Sequence, residues 1–163
     1  MRRIEIAIRK GGITPTAHEE KRLCQFAANI GFLCGHGCKY CSTPAILRRQ
    51  IIKLGFDPYD KDLCIVDPTT PERVAHDACH KRKRGQVKIC PLVDAWAPEA
   101  LKYDLGRISV EGVLRQPGWT VRILTKSAAV LKDFDLIEKY RDRVLVGLSI
   151  TSTPDKSHIM SVV

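Results

Sequence analysis

Cys34-Gly35-His36-Gly37-Cys38-Lys39-Tyr40-Cys41 sets three cysteines at the spacing C-x3-C-x2-C. Three thiols on so short a stretch predict one tight loop, and Gly35 and Gly37 let the backbone turn sharply. Three thiolates fall one short of a closed four-cysteine site. A structural zinc ion wants a fourth ligand, which His36 or one of the four other cysteines could supply. A [4Fe–4S] cluster on three cysteines instead leaves one iron open to a second ligand. Tyr40, just before the last cysteine, could stack on that ligand.

Outward from the loop, the chain alternates between apolar runs and helix signals. Residues 23–33 are mostly apolar and read as a first strand delivering the chain to the cysteines. Residues 1–22, basic and polar with Gly-Gly and a proline, read as an irregular lead-in, so the domain is expected over 23–163. Ser42-Thr43-Pro44 opens a helix over 45–54. Residues 64–66 are a short extended piece. Thr70-Pro71-Glu72 opens a helix to about Arg84, with Val74, Ala75 and Ala78 as its apolar side and Gly85 as its stop. A strand is predicted over 86–93 and a helix over 100–116, with Leu101, Leu105, Ile108, Val113 and Leu114 inward. A further strand is predicted over 120–125, and a helix over 127–140 on Val130, Leu131, Phe134 and Ile137. A last strand over 144–150 precedes a helix start at Thr151-Ser152-Thr153-Pro154-Asp155. Strand–helix alternation of this kind is the pattern of a parallel α/β sheet.

Composition bounds the functional classes. The 163 residues are 44% hydrophobic and 28% charged, enough for one domain with a core. The sequence holds no run of about 18 apolar residues, so no membrane span is expected. The first residues lack the apolar centre of a signal peptide, and a cytoplasmic location is expected. Seven cysteines, three of them in one motif, fit a disulfide framework poorly. Cys24, Cys64, Cys79 and Cys90 are read as small buried hydrophobes. A net charge of +9 makes nucleic acid a candidate partner. The run His80-Lys81-Arg82-Lys83-Arg84 reads either as a solvated helix end or as a phosphate-binding patch.

Ligands of parallel sheets gather at the carboxyl ends of the strands. The cysteine loop follows the first strand. Asp94, Trp96 and Glu99 follow the second, Thr125, Lys126 and Ser127 the third, and Ser149, Thr151 and Ser152 the fourth. Each also has an ordinary structural reading: Asp94 and Glu99 as cap or first-turn acids, Trp96 as core, Ser127 as a helix cap.

With those residues in place, the chain resembles the radical S-adenosylmethionine (SAM) enzymes, in the branch around spore photoproduct lyase and its uncharacterised relatives. The resemblance rests on residues 29–41, on Val93-Asp94-Ala95-Trp96-Ala97-Pro98-Glu99, on Leu124-Thr125-Lys126-Ser127, and on Val146-Gly147-Leu148-Ser149-Ile150-Thr151. It implies a partial parallel (β/α) barrel, truncated after about four βα units where the family has about six. By that resemblance, Cys34, Cys38 and Cys41 bind a [4Fe–4S] cluster whose open iron chelates SAM. Tyr40 lies near the adenine. The segment from Asp94 to Glu99 stands in for the amine-binding motif, although that motif's glycine-rich form is absent. Lys126 and Ser127 approach the SAM carboxylate, and Ser149 or Thr151 the ribose.

The expected function is reductive cleavage of SAM to a 5′-deoxyadenosyl radical, and the resemblance extends it to lyase-type repair of a nucleic-acid lesion. The expected partners are an electron donor such as flavodoxin or ferredoxin, nucleic acid, and a second chain completing the barrel. The alternative from another class is a non-catalytic metal-binding module, holding zinc or a cluster remnant and contacting nucleic acid through its basic surface. Spore photoproduct lyase uses a further cysteine as hydrogen donor, and Cys90 is the neighbouring candidate. An unfinished barrel is also expected to leave a sheet edge open and the chain poorly soluble alone.

Overall fold

The computed structural model describes residues 2–16 and 23–150. They form a mixed α/β fold with two sheets, each containing parallel strands. Strands β1 (Arg3–Ile6), β5 (Leu63–Val66) and β4 (Gly31–Leu33) form a small sheet in that order. The larger sheet has the order β2 (Thr14–Pro15), β3 (Phe26–Ala28), β6 (Gln86–Ile89), β7 (Thr120–Thr125), β8 (Val144–Leu148). From β3 to β8 all its pairings are parallel. The described residues form no closed barrel.

The run expected as one first strand is two. β3 belongs to the large sheet and β4 to the small one, and the chain crosses between them at Asn29-Ile30. The backbone groups on either side of the crossing find partners in both sheets: Ala28 O accepts from Cys90 N at 2.7 Å, and Ile30 O from Asp67 N at 2.7 Å. One apolar run can serve both sheets because a buried strand and a buried bend need the same side chains.

The lead-in is not irregular throughout, because β1 pairs in parallel with β5 and β2 pairs with β3. Acidic side chains of the core-facing elements tie it down. Asp67, fully buried, accepts from Arg9 N at 2.5 Å and also pairs with Arg73. Asp77 accepts from Ile13 N at 2.8 Å.

The helices are shorter than the sequence suggested. The first is split into α1 (Thr43–Ile46) and α2 (Arg48–Lys53). Helix α3 (Thr70–His80) stops at His80, and Lys81 is already extended. All of the basic run but His80 therefore lies after the helix rather than in its last turns. Arg84 within it donates to Pro117 O at 2.6 Å and to Cys79 O at 3.3 Å, so this cation satisfies loop and helix-end carbonyls. The stretch 100–116 becomes α4 (Pro98–Leu101) and α5 (Leu105–Leu114), interrupted where Asp104 takes φ 52°. Ile108, expected inside, is exposed; Val110 is buried in its place. The segment after β7 begins as a 3-10 turn, Ala128–Asp133, before α6 (Phe134–Lys139). The tighter turn shifts the phase, so Leu131 and Phe134 face solvent while Val130 and Leu136 are buried.

The main core lies between the large sheet and the α3–α5 pair. Val87, Ile89, Val121 and Ile123 point into it and meet Val74, Ala78, Val110 and Val113. Trp119 is fully buried there, donating to Ala78 O at 2.9 Å and meeting Phe26 edge-on at 5.2 Å between centroids. Cys24, Cys64 and Cys90 are buried as expected, but Cys79 is exposed.

Candidate metal and cofactor site at the strand ends

The cysteine loop closes on itself through Cys41 N donating to Cys38 O at 3.0 Å. Its two glycines do different work. Gly37 takes φ 58°, a conformation costly for a residue with a side chain. Gly35 makes room: a Cβ there would stand 2.5 Å from Glu99 Oε2 and 3.2 Å from Cys64 Sγ. That clearance lets Gly35 N donate to Glu99 Oε1 at 2.7 Å. Glu99 thus holds the loop from behind.

Asp94 holds the loop from the other side. Its Oδ2 lies 2.9 Å from His36 Nε2 and accepts from Lys126 N at 2.8 Å. Its Oδ1 accepts from Trp96 N at 2.9 Å and from Thr125 Oγ1 at 2.7 Å. One carboxylate therefore joins the cysteine loop, the segment after β6 and the end of β7. Burial opposes its charge, but the hydrogen bonds from His36, Lys126, Trp96 and Thr125 outweigh burial and hold the carboxyl below its ordinary range. Glu99 has fewer such partners, and burial pushes it up.

Between loop and strand ends lies a cavity of about 230 Å³. All three cysteines of the motif line it, together with His36, Tyr40, Asp94, Lys126 and Ser149. Lys126 Nζ contacts the Tyr40 hydroxyl and sits 4.8 Å from that ring's centroid, joining the two sides of the cavity mouth. Thr125 and Cys90 line it too; the other predicted residues lie elsewhere. Glu99 is behind the loop. Ser127 caps the 3-10 turn, its Oγ accepting from Ala129 N at 3.2 Å. Trp96 is core, donating from Nε1 to Asp133 at 2.7 Å. Thr151 and the helix start beyond it lie outside the described residues.

A second cavity, of about 390 Å³, flanks the loop's other side and shares Cys34, Cys38 and Cys41 with the first. The loop is a wall between the two. Cys34 is the deeper thiol, pushed up to about 12 by burial, whereas Cys41 is exposed. Among the described residues, no three His, Cys, Asp or Glu side chains converge as a set that could grip a metal ion.

Sequence reasoning missed one cavity residue and placed two others loosely. Thr125 was grouped with its neighbours without a role of its own. Lys88 sits mid-strand with nothing local to single it out. Cys90, the neighbouring hydrogen-donor candidate, also lines the cavity, where it takes φ 55° just after β6.

A mixed α/β protein with a cysteine loop at the carboxyl ends of parallel strands is the class defined by these observations. No family model matches the chain, and no solved structure matches it. An uncharacterized protein of the Acidianus two-tailed virus, ORF301, is 26% identical over 134 residues, covering 80% of this chain and 44% of the viral protein. The chain thus spans less than half the length of that curated relative. No helix of the described residues is long and apolar enough to cross a membrane.

Proposed function

We propose that the chain carries a radical SAM site: Cys34, Cys38 and Cys41 hold a [4Fe–4S] cluster, and SAM occupies the cavity beside it. The observation that carries this reading is that all three thiols of the motif line one cavity with Tyr40, Lys126 and Ser149. A cuboidal cluster takes each thiolate at a different corner, so it does not ask the three sulfurs to meet at one point as a single ion does. When bound, the cluster supplies the electron that splits SAM into methionine and a 5′-deoxyadenosyl radical, which takes hydrogen from a substrate.

In this reading Tyr40 and Lys126 frame the mouth and Ser149 is part of the lining. Asp94 and Glu99 act as positioning residues. Their oxygens fix His36, Gly35 and the ends of β6 and β7, and the hydrogen bonds to Asp94 occupy most of its acceptor capacity. The second cavity offers an electron donor such as flavodoxin or ferredoxin a side of the loop where it does not compete with SAM. Lyase-type repair of a nucleic-acid lesion is the activity the resemblance points to, supported here by the net charge of +9. The outer edge of β8, which among the described residues pairs only with β7, is where further strands or a second chain would continue the barrel.

One observation favours a second reading. His36 lines the same cavity as the three cysteines, and three cysteines with one histidine are a donor set of structural zinc, although here the four side chains do not converge on one point. Metal analysis after anaerobic reconstitution with iron and sulfide separates the two. The radical SAM reading predicts about four irons per chain and 5′-deoxyadenosine formed from SAM and reductant, with both lost in Cys38→Ala. Zinc retained at one per chain, with no SAM cleavage, would overturn it.

A further inference from the structure

The large sheet has a second face. Residues on β6 and β7 alternate between its two sides, and Val87, Ile89, Val121 and Ile123 take the side covered by α3 and α5. Lys88 and Arg122 therefore stand on the opposite side. They are direct partners in the parallel register, and Leu145 of β8 continues the row. Neighbouring strands lie about 4.8 Å apart, so the two side chains leave the sheet side by side. Both are only half-buried.

Like charges at opposed strand positions repel. A surface lysine and arginine normally relieve this through nearby carboxylates. Among the described residues, neither Lys88 nor Arg122 has one; Arg122 Nη1 donates to Leu23 O at 3.2 Å, which leaves its other donors available. Lys88 also lines the cavity that holds the three cysteines. Leu124 and Leu145 are exposed on this same face.

We infer that this row is a substrate anion site: Lys88 and Arg122 together take a phosphate group, and the rest of the substrate runs along Leu124 toward the cysteine loop. A phosphate monoester carries nearly two negative charges at neutral pH, enough to answer both cations. The guanidinium offers a planar fork to two of its oxygens, and the ammonium a point charge to a third. A singly charged carboxylate, or the phosphodiester inside a nucleic-acid strand, would leave one cation unanswered, so the group is a terminal phosphate. Assigning the ligand as substrate rests on the reading that the neighbouring cavity generates the radical; the anion site itself does not.

The test uses the 163-residue chain without cluster or SAM, and inorganic phosphate as the probe. Thermal melts and calorimetric titration are compared for the wild type, K88Q, R122Q and a K81Q/R82Q control in the basic loop. Phosphate is expected to raise the wild-type melting temperature and to bind at least tenfold more weakly to K88Q and to R122Q, with the control unchanged. In phosphate-free buffer K88Q is expected to melt no lower than the wild type, because it removes a repulsion, which guards against a variant that merely unfolds. Absence of phosphate binding to the wild type, or binding lost in the control and kept in K88Q, would overturn the site. Cluster formation is read separately. Phosphate binding in a chain that takes up no cluster would leave the anion site standing and end its assignment as a radical-enzyme subsite.

Discussion

Gly35 and Glu99 act as one unit. A methyl group at Gly35 would meet the Glu99 carboxylate at 2.5 Å, so Gly35→Ala displaces that buried carboxylate from its hydrogen bond to the loop. The expected loss is about 1–3 kcal/mol, as for overpacked sites generally, read by urea unfolding. Glu99 itself carries a pH signature. Burial raises its folded pKa above the unfolded value, so its contribution to stability is complete below about pH 4.3 and lost as pH rises through the folded pKa. Glu99→Gln keeps an oxygen to accept from Gly35 and removes the charge. Its stability relative to wild type is therefore expected to improve from pH 4 to pH 8; a flat difference across that range would show that the carboxylate is not strained. Asp94 runs the other way. Its folded pKa is lowered, so its stabilisation is present above about pH 3.9 and lost as pH falls through the folded value. Asp94→Asn leaves donors of Lys126, Trp96 and Thr125 competing for one carbonyl oxygen. A loss of about 1–3 kcal/mol at pH 7 is expected for buried groups left unsatisfied, and a melt within a degree of wild type would contradict the hub role.

At the scale of elements, β8 is the telling case. A central parallel strand is covered on both faces, yet Leu145 and Leu148 of β8 are exposed and its outer edge has no partner among the described residues. Concentration-dependent self-association follows. Leu148→Lys is expected to reduce it in sedimentation velocity, whereas equal association of variant and wild type would place the contact elsewhere. The strands were largely legible in the sequence because their cue is local: β7 was read to the residue from its Thr-Val-Arg-Ile-Leu-Thr run. The breaks were not legible, because tertiary contacts set them. The crossing at Asn29-Ile30 depends on which sheet each neighbour joins. The interruption before α5 depends on Asp104 adopting a left-handed conformation that Asp tolerates and rarely announces. The pairing of β1 with β5 spans about sixty residues, and no window along the chain contains both partners.

For the whole molecule, the legible part of the site was the grouping of its thiols and the hidden part its support. The C-x3-C-x2-C spacing marks three thiols for a shared task from the sequence alone. Which acids face the cavity and which brace it from behind depends on packing: Asp94 and Glu99 are five residues apart, yet they grip the loop from opposite sides. The central claim is that this loop holds a cluster with one iron open to SAM. Electron paramagnetic resonance of the anaerobically reconstituted, reduced chain tests it most directly, recorded with and without SAM. A [4Fe–4S] signal whose shape changes when SAM is added is the predicted result. A cluster signal indifferent to SAM, or no cluster where zinc binds instead, would contradict it.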